Sequence, residues 1–348
     1  MSGVMQLSVS VDEGEQRLDR WLKRRFPQIS QGQVEKMCRT GQVRVDGGRV
    51  KANSRVAPGQ SVRVPPLPES DAPKPARTPG FSEDDVRMIQ AAVIYRDDHI
   101  IVLNKPAGLP SQGGSGQGAR HVDGLAEALK FGRAEKPALV HRLDKDTSGV
   151  LMLARAPRIA RALSEAFRHR DTRKIYWAAV AGVPHPKMGT IRYGLVKAPG
   201  RGRGGEGEKM RCILPDEVAK TEGAKRATTD YAVLDALATR AAWMALVPIS
   251  GRTHQLRAHM AEIGHPIVGD GKYGGSGQEN LGDGWGAQLG GEISRKLHLH
   301  ARSLTITHPI TKREMTFTAP LPDHMKRTWK TLGWHENDVP ADPFAEDE

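Results

Sequence analysis

Apolar positions recur along this chain at two periods, and the change of period marks out its parts. Leu18, Trp21, Leu22 and Phe26 lie three or four residues apart, the spacing that gathers side chains on one helix face. Pro27 ends that run. Ser30 then stands as a cap ahead of Val34, Met37 and Cys38, so the spacing predicts a second helix. Next the period falls to two. Val43 and Val45, the turn Asp46-Gly47-Gly48 and Val50 predict a hairpin, with Val62 and Val64 as a closing strand. Residues 65–80, PPLPESDAPKPARTPG, are rich in proline, poor in large apolar side chains and unable to bury a core. Beyond them, short β-rich runs (93–95, 100–103, 175–180, 231–234, 243–248 and 304–307) mix with helical runs (159–169 and 253–263). Without regular βαβ alternation, that mixture predicts an α+β fold rather than a doubly wound sheet.

One stretch of the pattern points to chemistry. The apolar run Ala138, Leu139, Val140 leads into a turn holding His141, Arg142, Asp144, Lys145, Asp146, Thr147 and Ser148. Gly149 closes the turn, and Val150, Leu151, Met152, Leu153 and Ala154 follow as a second apolar run. Two strands bracketing a crowd of carboxylates, a guanidinium and an imidazole hold the groups of acid–base or nucleophilic catalysis on a rigid support. A solvated hairpin turn accounts equally well for the composition taken alone.

Charge narrows the partner. The 348 residues carry a formal net charge of +12, which favours a polyanion, either nucleic acid or an anionic membrane. No apolar run approaches the ~18 residues of a membrane span, and the first residues do not read as a signal peptide. Cys38 and Cys212 are the only cysteines and lack CxxC spacing, which fits a reducing cytoplasm without a disulfide framework or thiolate metal site. Between Arg17 and Arg63, 12 Lys and Arg face 3 acidic residues, so this short segment holds most of the excess. It reads as an RNA-binding module or as a merely solvated basic face. Residues 336–348 hold six acidic residues and no Lys or Arg, which predicts a disordered tail.

Several patterns carry less than they suggest. Residues 200–205 match GxGxxG, but Pro199 precedes them and neither strand nor helix flanks them, so they read as a basic loop. Residues 113–116 lack the GK[ST] of a P-loop. His254, His259 and His265 are five and six residues apart, not the i, i+4 pair of a helical zinc site. His141-Arg142-Leu143-Asp144 matches a kinase catalytic loop only superficially. More informative is the cluster of Arg252, His254, Arg257 and His259 at the start of a predicted helix, where Thr253, Gln255 and Arg257 are not apolar-face residues and core packing does not account for them. Tyr176, in Lys174-Ile175-Tyr176 at the start of a strand, reads by itself as structural before catalytic.

Taken in order, HRLDKDTSG, KIYWAAVAG and GRTHQLRAHMAEIGHPIVGD resemble the successive motifs of the RluA-type pseudouridine synthases, and NKPAGLPSQGGSG and LHARSLTITHP fit them too. RLDRWLKRRF, VEKMCRTGQVRVDGGRVK and VAPGQSVRV resemble an S4 RNA-binding domain. The similarity runs from Gln16 to Leu332 and is greatest to the RluC branch, which modifies large-subunit ribosomal RNA. The resemblance implies an α+β catalytic fold with a mixed, largely antiparallel sheet and flanking helices, plus a small N-terminal S4-type domain. The domains expected are an S4-like unit (1–64), a proline-rich linker (65–92), the catalytic domain (93–334) and the acidic tail (335–348).

It implies conversion of uridine to pseudouridine in 23S ribosomal RNA, without metal, nucleotide or redox cofactor. The family motif places the essential carboxylate on Asp144, with Asp146 its rival by chemistry alone. Direct attack on the sugar and proton loss at C2′ both remain open, and either requires the ionised form, which a nearby cation favours. Arg257 matches the position that pairs with the aspartate, and Tyr176 the active-site tyrosine. Arg142, and less directly His141, match the base-flipping position, with Arg252 and His254 as further RNA contacts. Arg17, Arg20, Lys36, Arg39 and Arg44 are the expected phosphate contacts of the S4 unit. The expected partner is ribosomal RNA, free or in an assembling large subunit, with no membrane and a monomeric enzyme. Transfer RNA as substrate, and a non-catalytic RNA-binding or assembly protein, are the alternative readings.

Overall fold

A computed structural model describes residues 3–345 apart from 11–12, 14–15, 27, 68–80, 114–117, 119, 170–171, 199–208 and 275–292. The chain divides into two units, 1–80 and 81–348. In the first, β1 (Met5–Ser8), β2 (Gln16–Arg17), α1 (Leu18–Arg25) and α2 (Gln31–Arg39) precede β3 (Arg44–Val45), β4 (Gly48–Arg49), β5 (Arg55–Val56) and β6 (Ser61–Val64). Both predicted helices form, on the predicted apolar faces. Leu18, Trp21, Leu22, Val34, Met37 and Cys38 bury themselves with Val43 and with Val45, Val62 and Val64 from the sheet β1-β6-β3-β4. Ser30 starts α2 through a capping box, its hydroxyl accepting the Gln33 amide while the Gln33 side chain accepts the Ser30 amide.

In the second unit, α3 (Glu83–Ala91), β7 (Val93–Arg96), β8 (Ile100–Lys105), α4 (Val122–Leu125), β9 (Ala138–Leu139), β10 (Ser148–Ala154) and α5 (Pro157–His169) come first. Then follow β11 (Thr172–Ala181), β12 (Met188–Lys197), β13 (Met210–Ile213), β14 (Lys225–Leu237), β15 (Ala241–Pro248) and α6 (Gln255–Glu262). The last elements are β16 (Leu299–Thr307), β17 (Glu314–Thr318) and α7 (Asp323–Leu332). The strands make one sheet in the order β13-β12-β14-β15-β11-β16-β10-β8-β7, with β17 added on β16 and β9 on β10. Its neighbours are antiparallel except β10 and β16. The class is therefore α+β with a largely antiparallel sheet.

Both faces of the central strands are buried, and the period of two decides what each carries. Trp177, Ala179, Trp243 and Ala245 face α7, whose Met325, Trp329 and Leu332 pack on them. Alternate residues, Tyr176, Ala178, Val180, Ala242 and Met244, face α6 through its Leu256 and Met260. Tyr176 thus lies on the same side of the sheet as the histidine- and arginine-bearing helix. Helix α6 begins two residues later than predicted, because His254 takes a left-handed backbone (φ 51°) and ends the preceding loop.

Two boundaries differ from expectation. Residues 83–91, assigned to the linker, form α3, with Ser82 as cap and Glu83, Asp84 and Asp85 in its first turn. Its Ile89 is fully buried among Ile101, Leu103 and Leu125, contacts that so short a helix does not reveal by periodicity. The tail also departs from disorder over its described residues. Glu336 pairs with Arg302 at 2.8 Å, Asp342 is gripped by Arg173, and Phe344 packs on the α7 side of the sheet. Neutralisation by these arginines removes the charge repulsion that composition suggested. The glycine-rich stretches 114–116, 200–205 and 275–291 lie outside the described residues.

Gly149, at the end of the polar turn, shows how tightly β10 meets its parallel neighbour. Its φ is +110°, and a Cβ there would sit 2.2 Å from the Ala301 carbonyl oxygen, a backbone atom that cannot turn away. Gly149→Ala should therefore cost about 2–4 kcal/mol of stability, read as a lowered denaturant midpoint. A change below about 0.5 kcal/mol would show that the strands have room to separate.

Candidate active site

Asp144 lies in the loop between β9 and β10, and the backbone on either side of it is clamped. Before it, Ser111 Oγ accepts the Leu143 amide at 3.0 Å and donates to the Leu143 carbonyl at 2.7 Å. After it, the Lys145 carbonyl accepts from the Gly108 amide at 2.9 Å and from Lys105 Nζ at 3.0 Å. Lys105 is wholly buried and also donates to the carbonyls of Pro106 and Leu109. Burial pulls its pKa down to about 7 despite the opposing carboxylates of Asp146 and Asp144. At the loop's far end, Ser148 Oγ and His300 Nδ1 are 2.8 Å apart. His300 Nε2 faces the Ala319 carbonyl at 3.1 Å and must donate to it, so Ser148 is the donor at Nδ1. This buried pair ties β10 to β16. It is not a nucleophilic dyad.

The partner of Asp144 comes from α6. Arg257 is almost fully buried and held by two parallel bonds of 2.7 Å, Nε to Asp270 Oδ2 and Nη2 to Asp270 Oδ1. That fork uses two guanidinium nitrogens and turns the third, Nη1, toward Asp144 Oδ2 at 3.6 Å. Burial disfavours the guanidinium charge, but the hydrogen bonds and charge of Asp270, joined by Asp144, outweigh it and hold the pKa above its ordinary value. Asp144 is 29% exposed against 5% for Arg257, so the carboxylate faces the cavity and the cation stands behind it.

Gln255 anchors the start of α6. Its Nε2 donates to the Thr228 carbonyl at 2.7 Å, and its Oε1 accepts from Ser250 Oγ at 2.8 Å and the Arg252 amide at 3.1 Å. His259 reaches Thr229 Oγ1 at 2.9 Å and His265 the Ala181 carbonyl at 3.0 Å, so these two histidines engage different elements.

His254 Nε2 lies 3.8 Å from Asp144 Oδ2, while its Nδ1 is 3.0 Å from the Tyr273 hydroxyl. That hydroxyl accepts the Met210 amide at 2.8 Å and can donate to Nδ1, which leaves the N–H on the side facing Asp144. Burial keeps the ring's pKa below its ordinary value, against the pull of Asp144 and with the help of Arg257 and Lys272. Tyr176 sits at a bulge where β11 changes register against β16, and it pairs with Ala301, the residue that also faces Gly149. Burial, with the charge of Asp144, pushes its phenol well above the usual tyrosine range, so the hydroxyl stays protonated.

Asp144, Tyr176, His254, Gln255 and Arg257 line a cavity of 880 Å³. Arg142 and Arg252 are exposed at its wall, and Lys174, with a pKa drawn down to about 8 by burial, lies 4.6 Å over the Phe167 ring. His141 has a different task from the one the motif suggests. Its Nε2 accepts the Met152 amide at 3.0 Å, its ring packs on Phe167 at 4.5 Å, and burial drives its pKa down to about 3. It braces the loop as a neutral ring. Asp146 is exposed. In the N-terminal unit, Arg20, Lys36 and Arg39 are exposed, whereas Arg17 is clasped by Asp19 and Arg44 is tied to the Gly41 carbonyl.

Asp270, Gln255, Ser111, Lys105 and Tyr273 escaped the sequence reading as site residues. Asp270 stood inside a quoted motif, and a carboxylate in an otherwise apolar and glycine-rich stretch was the available signal.

A cavity large enough to admit a turned-out nucleotide, with a lone carboxylate backed by a buried cation and a small basic unit elsewhere in the chain, suits an enzyme that works on single bases of RNA. Residues 99–262 match the RNA pseudouridylate synthase family, and residues 16–62 match the S4 domain. Ribosomal large subunit pseudouridine synthase C of Vibrio vulnificus is 32% identical over 331 residues, which is 94% of this chain and 96% of that protein. The protein of the same name from Escherichia coli K12 is 33% identical over 329 residues, again 94% and 96% of the two chains. Among solved structures, human RNA pseudouridylate synthase domain containing 4 is 31% identical with a TM-score of 0.58, covering 71% of this chain and 95% of that one. This chain belongs to the RNA pseudouridylate synthase family.

Asp270→Asn should strand the buried Arg257 without its counterion and cost about 3–5 kcal/mol in chemical denaturation. A loss below 1 kcal/mol would mean that the fork does not hold the guanidinium.

Proposed function

We propose that the chain isomerises specific uridines to pseudouridine in large-subunit ribosomal RNA, with Asp144 as the carboxylate acting at the sugar. The observation that carries this reading is the placement of Asp144. Its backbone is clamped on both sides, its carboxylate opens to the cavity, and Arg257 stands 3.6 Å behind it. The names of the relatives, matched over nearly their whole length, support the ribosomal substrate.

The target uridine must leave its stack, at a cost of about a few kcal/mol. Arg142, exposed beside the carboxylate, suits the space it vacates. The N1–C1′ bond breaks, the uracil turns in place, and C5 joins C1′. The proton leaving C5 is balanced by one gained at N1, so product and substrate are isomers and no electrons are exchanged. The Asp144 carboxylate serves either by attack at C1′ or by taking the C2′ proton, with Arg257 Nη1 3.6 Å behind it in both cases. Tyr176, kept protonated, acts as the wall of the base site and as a hydroxyl donor. Its phenolate plays no part. Arg252 and Lys174 lie at the cavity wall where the nucleotide's phosphate would pass, and Arg20, Lys36 and Arg39 supply phosphate contacts in the S4 unit. The reading places a monomeric enzyme in the cytoplasm, supported by cysteine usage. No helix among the described residues is long and apolar enough to cross a membrane.

Pseudouridine mapping of ribosomal and transfer RNA from cells with and without the gene should show sites missing only from large-subunit ribosomal RNA. Missing sites confined to transfer RNA, or none missing, would overturn the proposal. Replacing Arg20, Lys36 and Arg39 together by Gln should weaken RNA binding and flatten the slope of log K against log salt by about 2–3. An unchanged slope would remove the S4 face from the RNA interface.

A further inference from the structure

Beside the catalytic cavity runs a second groove of 1080 Å³, whose wall shares Phe167, Lys174, Ser250 and Arg252 with it. Arg168, Arg173 and Arg302 add to its positive charge. A basic groove continuous with the place where one nucleotide is turned out lies where the adjoining phosphates would run. Two of its cations are nevertheless occupied by the chain's own C-terminal segment. Arg302 Nη1 is 2.8 Å from Glu336 Oε2. Arg173 holds Asp342 with two nitrogens side by side, its Nη2 at 2.7 Å from Oδ1.

An arginine fork on a carboxylate has the geometry of an arginine fork on a phosphate. The segment is otherwise lightly held. Asp338 and Phe344 make short turn hydrogen bonds, and Val339 and Phe344 lie half-buried on the α7 side of the sheet. Arg173 is 42% exposed and Asp342 29%, and an ion pair so open to water and salt contributes little to stability; Arg302, 17% exposed, is held in place by the Ala319 carbonyl and the Trp177 ring without Glu336. A polyanion offering several phosphates at once is a strong competitor for them.

We propose that this groove is a second RNA-binding surface, taking the phosphodiester backbone that flanks the target nucleotide. Residues 335–345 are then an acidic strap, which holds Arg173 and Arg302 until phosphates replace Glu336 and Asp342. The proposal rests on the RNA-modifying reading above and adds the course of the strand and what it displaces. The exchange breaks no covalent bond: two carboxylates leave two guanidiniums and two phosphates take their place. Anions that cannot fill the groove leave the strap seated, so it raises the threshold against weak, unspecific ligands.

Hydrogen exchange over residues 335–345 of the intact chain, with and without large-subunit ribosomal RNA, tests the displacement, with pseudouridine measured in the same samples. Exchange should quicken at least severalfold when RNA binds. Conversion of the RNA with strap exchange unchanged or slowed overturns the strap and leaves the enzymatic reading intact. Failure to bind or convert the RNA overturns both.

The double variant Glu336→Gln/Asp342→Asn should bind RNA about 5- to 10-fold more tightly at 0.1 M salt, with a salt slope steeper by about 2. The gain should vanish when Arg173→Gln and Arg302→Gln are added. A gain that survives those changes is a long-range charge effect and contradicts the proposal, as does an unaltered slope.

Discussion

The fork between Arg257 and Asp270 is the constraint on which the site depends. A guanidinium this deeply buried needs a counterion, and Asp270 supplies it at 2.7 Å on two nitrogens. Because that demand is met from behind, Arg257 need not close on Asp144, and the carboxylate stays 3.6 Å away and open to the cavity. A direct fork to Asp144 would tie up the oxygens that the proposed chemistry brings to the sugar. The structure therefore separates two tasks that one ion pair would confuse: neutralising a buried cation and leaving a carboxylate open to the cavity.

That separation works only if Asp144 is held by something other than its charge partner. Ser111, Lys105 and Gly108 hold the peptide groups on either side of it, from the end of β8 and the segment that joins it to α4. Gly149 lets β10 close against β16, and on the far side of β16 Ala301 pairs with Tyr176. The catalytic loop and the tyrosine are thus two strands apart at one level of the sheet. The alternation of side chains then turns Tyr176 toward α6, where Arg257 lies. A period of two in the sequence of β11 is enough to assemble groups that stand 81 residues apart in the chain, as Tyr176 and Arg257 do.

Much of this was legible in the sequence because it rests on local patterns. The two N-terminal helices, the central strands and the polar turn between apolar runs all follow from spacing, and the motifs singled out Asp144, Tyr176 and Arg257. What stayed hidden depends on long-range pairing. Nothing local marks Asp270 as the counterion of a residue 13 positions earlier, or Gln255 as the anchor of a strand and a loop. His141 looked like a second base-flipping residue in its motif, but only the fold shows its ring nitrogen committed to the Met152 amide. The C-terminal segment misled through composition. Its acidic residues do repel one another in isolation, and it settles because arginines from β11 and β16 meet them.

The proposed chemistry turns on Asp144, and not its neighbour Asp146, acting on the uridine. Conversion of uridine to pseudouridine releases the hydrogen at C5, so ribosomal RNA tritiated at that position reports the reaction directly. In single-turnover assays with RNA bound, the intact chain and Asp146→Asn should both release tritium, while Asp144→Asn should bind the RNA and release none. Release by Asp144→Asn at a rate within about tenfold of the intact chain, or a loss confined to Asp146→Asn, would contradict the claim.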